Sequence, residues 1–220
     1  MSEELLVYLY RATLESGLMV SVSFLCATML GLPMGVFLAT SEKGELLEAP
    51  WLNRGLGVVV NIGRSVPFII LVVAIIPFTR FVVGTSIGTT AAIVPLTIGA
   101  VPFIARLIEA AVREVDYGLT EASKAMGATP FQVISKVLLP EAAPGIVLSL
   151  TLALVSLLGF SAMVGLVGGG GLGDLAIRYG YQRFLPSVML MVVVVLVVVV
   201  QSLQSTGDYL ARRLDKRKPK

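Results

Sequence analysis

The residues with the clearest functional spacing form one short polar stretch between two long apolar runs. It contains Glu121-Ala122-Ser123, then Gly127, then Val137 and Leu139-Pro140. The carboxylate supplies a charge for a contact, and the small side chains beside it allow another surface to approach closely. We therefore predict that this stretch is a contact site for a second, water-soluble protein.

The same sequence excludes several kinds of chemistry. It has no histidine, and its one cysteine, Cys26, lies in an apolar run, so one chain cannot form a disulfide or a cysteine metal site. It has no GxxxxGK[ST] loop, because Gly44 follows Lys43 and the run from Gly168 to Gly173 lacks a lysine. We predict a flexible turn for that run, and no catalytic residue, metal or cofactor bound by this chain.

Local signals define the elements around the polar stretch. We expect Gly118 to end the preceding helix, a short helix to run from Leu119 to Met126, and Gly127 to terminate it. Thr129, Pro130 and Gln132 are typical of a capping box that starts the next helix, and Pro140 and Pro144-Gly145 mark the entry to the following apolar run. These signals alone fit a docking helix and a solvated linker equally well.

Composition indicates that the chain lies in a lipid bilayer. Its 220 residues are 56% apolar and 14% charged, with a mean hydropathy of +0.90, whereas a soluble domain carries about 25% charged residues. The charges collect between long apolar runs, as expected for membrane-spanning helices, whose backbone groups are paired internally.

We predict an all-α integral membrane protein with three segments. Residues 1–14 form an amphipathic surface helix, residues 15–207 form the membrane domain, and residues 208–220 are a basic tail that binds anionic lipid rather than nucleic acid. Because a spanning helix needs about 20 apolar residues, we predict five spans, at about 16–40, 56–77, 88–110, 143–166 and 187–206, and a polar connection at 118–140.

Basic residues predict the orientation of the spans. One side holds only Arg11, Arg80, Arg178 and Arg183. The other side holds Lys43, Arg54, Arg64, Arg106, Arg113, Lys124, Lys136 and the tail cations Arg212, Arg213, Lys216, Arg217, Lys218 and Lys220. By the positive-inside rule the richer side is cytoplasmic, which places the N-terminus outside and the C-terminus and the polar connection in the cytoplasm.

The spacing from Glu121 to Pro140 resembles the cytoplasmic signature of permease subunits of ABC importers. Ser123 stands where that signature usually has a third alanine, and Val137 stands where it has isoleucine. The resemblance covers nearly all of residues 10–210, and within the family the sequence is similar to the methionine-importer branch in particular. It is carried by segments 61–68, 76–80, 84–88, 92–96, 102–106, 160–163 and 168–173.

The resemblance implies a type I ABC importer fold in a bacterial inner membrane, with five spans and a coupling helix. It implies a second copy of the chain, two ATP-binding cassette subunits that use ATP and Mg, and an extracytoplasmic methionine-binding protein or lipoprotein. The implied substrate is L- or D-methionine or a close derivative. The coupling residues are then Leu119, Glu121, Ala122, Ser123, Ala125, Met126 and Gly127.

Several alternatives stay open at this point. Pro33, Pro95, Gly99 and Pro102 interrupt the first and third spans and either shape a pore or let curved helices pack. We predict Met163, Phe160, Pro95 and Gly99 as pore or gate residues, with a packed core position as the alternative for Met163. Arg106 and Glu109 form an i,i+3 pair. An autonomous channel, an ion-driven carrier or a scaffold subunit are the competing classes, although the spans lack the central ionisable residues usual in ion-driven carriers.

Overall fold

The computed structural model describes residues 3–215, and all elements within that range are helical, which confirms the predicted all-α class. Lys216, Arg217, Lys218 and Lys220 of the predicted tail and the first two residues of the predicted surface helix lie outside it. The helices are α1 (Glu3–Thr40), α2 (Pro50–Ser65), α3 (Phe68–Ala74), α4 (Ile76–Val83), α5 (Thr89–Arg113), α6 (Tyr117–Ala125), α7 (Pro130–Val133), α8 (Leu139–Leu166), α9 (Gly171–Leu175) and α10 (Pro186–Leu214), with π-helical segments Ile134–Leu138 and Ala176–Gln182.

Four helical stretches in the described chain are long and apolar enough to cross a bilayer. They are Leu5–Thr40, Thr89–Arg113, Pro130–Gly165 and Pro186–Leu214, and the pair α2 and α3 makes a fifth if it counts as one span. The expectation of one unbroken helix over 56–77 is wrong. Pro67 lacks an N–H and disfavours helical geometry at Val66, so α2 ends at Ser65 and α3 begins at Phe68.

The first helix is longer than expected. We expected residues 1–14 to form a separate helix, but α1 is continuous from Glu3 to Thr40. No proline or capping sequence stands between Leu14 and the apolar run, and a single glycine at Gly17 does not end a helix. Pro33 also lies inside α1, and Pro95 and Pro102 lie inside α5, so these prolines do not terminate the helices.

One compact unit consists of Thr28–Arg64, Val101–Leu152 and residues 204–215. Here α1 and α5 pack closely through Gly31 and Gly35, since a Cβ on Gly31 would lie 2.9 Å from Ile104 Cγ2. Leu38, Val60 and Ala105 form a buried cluster. The hydroxyl of Ser149 on α8 donates to the carbonyl of Leu107 on α5 at 3.3 Å. Small residues and interhelical hydrogen bonds of this kind thus hold this unit together, as is usual for helices in membranes.

The other unit consists of residues 3–27, Ser65–Ala100 and Ala153–Leu203. Its glycine run is fixed by hydrogen bonds, which replaces our expectation of a flexible turn. Gly88 N–H donates to Gly168 O at 2.9 Å, Gly171 N–H donates to Glu15 Oε2 at 2.9 Å, and Leu172 N–H donates to Ser16 Oγ at 2.8 Å. The last two bonds satisfy free donors at the start of α9. A buried cluster around them contains Ala12, Leu172, Leu175, Val188 and Val192.

Candidate functional site

The polar connection begins with a side-chain cap. Asp116 Oδ1 accepts a hydrogen bond from Gly118 N–H at 2.7 Å, and α6 begins at Tyr117. The expectation that Gly118 ends the preceding helix is therefore wrong, because α5 already ends at Arg113 and Gly118 lies in the first turn of α6. Aspartate is among the preferred residues at this cap position, so the short acidic side chain, rather than the glycine, starts the helix.

The end of α6 follows the sequence prediction. Gly127 has φ +82°, in the left-handed region, and its N–H donates to Lys124 O at 2.9 Å. Ala128 N–H donates to Ser123 O at 3.1 Å. These two bonds form a Schellman motif, in which glycine is favoured because it has no Cβ. The predicted helix-terminating role of Gly127 is confirmed.

The start of the next helix is also confirmed. Thr129 Oγ1 accepts from Gln132 N–H at 3.4 Å, and Gln132 Oε1 accepts from Thr129 N–H at 2.9 Å, with Pro130 as the first helical residue. Helical structure then continues from Pro130 to Gly165 as one candidate span, so Pro140 lies inside it rather than before it. Because Pro140 has no N–H for the usual bond, the π-helical segment just before it shifts the pairing, with Leu139 N–H donating to Ile134 O.

The two faces of α6 differ in burial. Thr120 and Ser123 are buried against the chain, and Ser123 Oγ donates to Leu119 O at 2.7 Å. Ser123 therefore points into its own chain, unlike the other predicted coupling residues. The exposed face, which we call the docking face, consists of Leu119, Glu121, Ala122, Ala125 and Met126. Gly127, at the end of the helix, is also exposed.

The prediction did not include two exposed aromatic residues, Tyr117 at the start of α6 and Phe131 in the first turn of α7. Phe131 is 77% exposed, and Met126, which the prediction did include, is 81% exposed. Both aromatic residues occupy first-turn positions, where a capping signal predicts the helix but not which side chains face solvent. Exposed large apolar side chains around a short polar helix are typical of a surface that contacts another protein or the membrane.

An ion-pair cluster joins the last turns of α5 to Glu42 in the connection between α1 and α2. Arg113 Nη2 lies 2.6 Å from Glu42 Oε1 and 2.9 Å from Glu109 Oε1, and its Nη1 lies 3.2 Å from Glu42 Oε2. Arg106 Nη1 lies 2.6 Å from Glu109 Oε2, which confirms the predicted i,i+3 pair. The contact from Glu42 to Arg113 could not be predicted, because the two residues are 71 positions apart.

Burial and charge in this ion-pair cluster are uneven. Glu109 is only 4% exposed and its carboxylate has two guanidinium partners, whereas Glu42 is exposed. The hydrogen bond from Arg113 lowers the pKa of the Glu42 carboxyl below its ordinary value of 4.5, and partial burial acts in the opposite direction. The cluster borders a cavity of about 700 Å³ that Asn53, Arg54 and Asn61 also line.

The predicted pore residues are not all placed alike. Phe160 stacks on Phe68 with ring centroids 4.5 Å apart, and a Cβ on Gly99 would lie 3.1 Å from the same Phe68 ring. Phe160 and Gly99 are thus brought together by a residue that the prediction omitted. Pro95 is buried, and Met163 is 42% exposed, so Met163 is not a core residue of this chain. Their role in a pore remains a prediction.

Comparison with known proteins bears on this geometry. Residues 31–217 match the family described as "Binding-protein-dependent transport system inner membrane component". The chain is 59% identical to the "Probable D-methionine transport system permease protein MetI" of Vibrio cholerae serotype O1, over 95% of this chain and 93% of that protein. It is 53% identical to the "D-methionine transport system permease protein MetI" of Escherichia coli strain K12, over 75% of this chain and 76% of that protein.

A solved structure agrees with these relatives. The chain matches one from "Inward facing conformations of the MetNI methionine ABC transporter" with a TM-score of 0.95 and 50% identity, covering 98% of this chain and 100% of that one. The resemblance and the type I ABC importer fold predicted from the sequence are confirmed.

Proposed function

This chain belongs to the family of binding-protein-dependent transport system inner membrane components, and we propose that it is the permease subunit of an ATP-driven importer of methionine. The observation that carries the substrate is the 59% identity, over 95% of the chain, to a D-methionine transport system permease. L-methionine, D-methionine and close derivatives belong to the proposed substrate class.

The proposed complex contains two copies of this chain, two ATPase subunits and an extracytoplasmic methionine-binding protein. Similarity to a chain of the MetNI transporter supports the ATPase partners. The distribution of Lys and Arg supports an external N-terminus, a cytoplasmic C-terminus and a cytoplasmic position for α6. ATP and Mg belong to the partner subunits, since this sequence carries no phosphate-binding loop.

In this proposal α6 is the coupling helix. Ala122 and Ala125 lie on its docking face, and their small side chains allow close approach to a cleft in the ATPase. Met126 and Leu119 fill the sides of that cleft, and Glu121 pairs with a cationic or amide group there. When ATP draws the two ATPase subunits together, α6 moves with them, and the spans move as rigid bodies between inward-open and outward-open states. Phe160, Gly99, Pro95 and Met163 are the proposed pore or gate residues.

Reconstitution tests the proposed activity. The purified complex in proteoliposomes, supplied with the binding protein and ATP, is expected to take up labelled methionine, and the permease alone is expected to take up none. Competition by unlabelled L- and D-methionine then assigns the enantiomer. Uptake by the permease alone, without nucleotide, would contradict the proposal, as would purification without an ATPase subunit.

A substitution on the docking face tests the coupling role. Ala125→Arg places a long charged side chain on that face and should abolish substrate-stimulated ATP hydrolysis and uptake, while the protein still inserts in the membrane. Glu48→Arg is the control, because it also puts an arginine at an exposed position, here in the 41–49 connection outside the docking face. Normal stimulated hydrolysis in Ala125→Arg, or equal loss in both variants, would refute docking through this face.

A further inference from the structure

The link between α5 and α6 is short. Only residues 114–116 separate Arg113, at the end of α5, from Tyr117, at the start of α6. Within this link Glu114 N–H donates to Ala110 O at 3.2 Å, and Val115 N–H donates to Val112 O at 3.3 Å. The link thus continues the backbone hydrogen bonds of α5 and leaves α6 little freedom to move independently of α5. A displacement of α6 therefore reaches Arg113 directly.

Arg113 connects the end of α5 to a distant part of the chain. Its guanidinium makes a two-atom contact with Glu42, which follows α1, and also contacts Glu109 one turn earlier on α5. A guanidinium fixes carboxylate geometry better than an ammonium group, because its donors are coplanar and rigid. Glu109 is buried and also held by Arg106, so it fixes the orientation of Arg113 on the α5 side.

The connection that carries Glu42 is itself held in place. Leu47 N–H donates to Thr40 O at 2.9 Å, and Ala49 N–H donates to Ser41 O at 3.0 Å. From α2, the Asn53 side-chain amide donates to Leu38 O at 2.8 Å and to Ser41 Oγ at 2.9 Å. Glu42 is therefore attached to the ends of both α1 and α2, not to a loose loop. A force on its carboxylate reaches those two helices.

We propose that the contact of Arg113 with Glu42, supported by Glu109, is a positioning strut that transmits movement of α6 to the ends of α1 and α2. The proposal rests on the proposed function, in which α6 is moved by the ATPase. Neither Glu42 nor Arg113 belongs to the docking face. The strut thus acts after docking, and its loss leaves binding of the ATPase intact.

The test uses the complete complex in proteoliposomes and measures uptake and ATP hydrolysis together. Glu42→Gln keeps the size of the side chain and removes the charge, and it should lower the amount of methionine imported per ATP hydrolysed about fivefold, at the lower end of typical coupling between sites. The amount of ATPase that co-purifies should stay unchanged. Glu48→Gln removes a charge from an exposed position in the same connection and should leave the ratio at the wild-type value.

A second substitution separates transmission from a purely structural role. Arg113→Lys keeps the charge but loses the two-atom contact. Introduced alone, it should lower the ratio of methionine imported to ATP hydrolysed, and added to Glu42→Gln it should lower that ratio no further. Ratios are normalised to assembled complex, so a lower yield does not obscure the result. A wild-type ratio in Glu42→Gln, or additive effects of the two substitutions, would overturn the strut. If the wild-type complex shows no ATP-dependent uptake, the proposed function itself fails.

Discussion

The close packing of α1 on α5 leads to a quantitative prediction for Gly35→Ala. A Cβ at this position would lie 2.7 Å from Ile108 Cβ and would overlap the carbonyl oxygen of Ala105. Carbon atoms normally approach to about 3.5–4.0 Å, so the two helices must separate by roughly 1 Å. A backbone carbonyl cannot rotate away, which places the cost near the upper end for overpacking, about 3 kcal/mol. Alanine regains about 1 kcal/mol of helix propensity, which leaves a net loss of about 2 kcal/mol.

The assay is thermal unfolding of the detergent-solubilised complex. For a chain of this size a loss of about 2 kcal/mol corresponds to a Tm lower by about 4–8 °C. Gly17→Ala is the matched control on the same helix, because nothing lies within 4 Å of its Cβ position. The control should gain about 1 kcal/mol from propensity alone. Equal or higher Tm for Gly35→Ala would show that the two helices do not pack at this point.

Two further predictions concern the turn after α6 and the connection between α1 and α2. Gly127→Val puts a β-branched residue at φ +82°, costs at least about 1–2 kcal/mol, and should speed hydrogen exchange of the α6 amides and weaken co-purification of the ATPase. The pKa of Glu42 is lowered in the folded state, so its ionised carboxylate stabilises the fold at pH values above the ordinary pKa of 4.5. This contribution is lost as the pH falls through the lowered pKa. The Tm difference between wild type and Glu42→Gln should therefore be present at pH 7 and shrink below pH 4.5; a difference that grows on acidification would contradict the assignment.

Local signals explain most of what the sequence predicts correctly. Gly127, Thr129 and Gln132 form hydrogen bonds within a few residues of themselves, so their spacing alone indicates the turn and the capping box. The apolar runs predict four of the five spans, because a bilayer imposes length and composition. The apolar character of 56–77 does not predict the break at Pro67, which follows from the backbone restriction that proline imposes on itself and on the residue before it.

Contacts between distant residues explain what the sequence does not predict. Gly31 and Gly35 form a small-xxx-small pattern, but nothing local identifies α5 as the helix they face. In the sequence, Arg113 and Glu42 each have the pattern of a solvated charge at a helix end. Only the fold brings Arg113 Nη2 to within 2.6 Å of Glu42 Oε1. Ser123 shows the same limit, since its place in a family signature does not reveal that it faces inward.

The build of α6 argues for a protein partner rather than lipid. Leu119 and Met126 are exposed, but Glu121 and Lys124 lie on the same short helix, and their charges would be costly within the hydrocarbon core. Both ends of α6 are fixed by hydrogen bonds, from Asp116 at the start and at Gly127 at the end. A helix held rigid at both ends loses little conformational entropy when a cleft closes around it. In the proposed coupling mechanism, the same rigidity lets a pull on α6 move α5 instead of unwinding the helix.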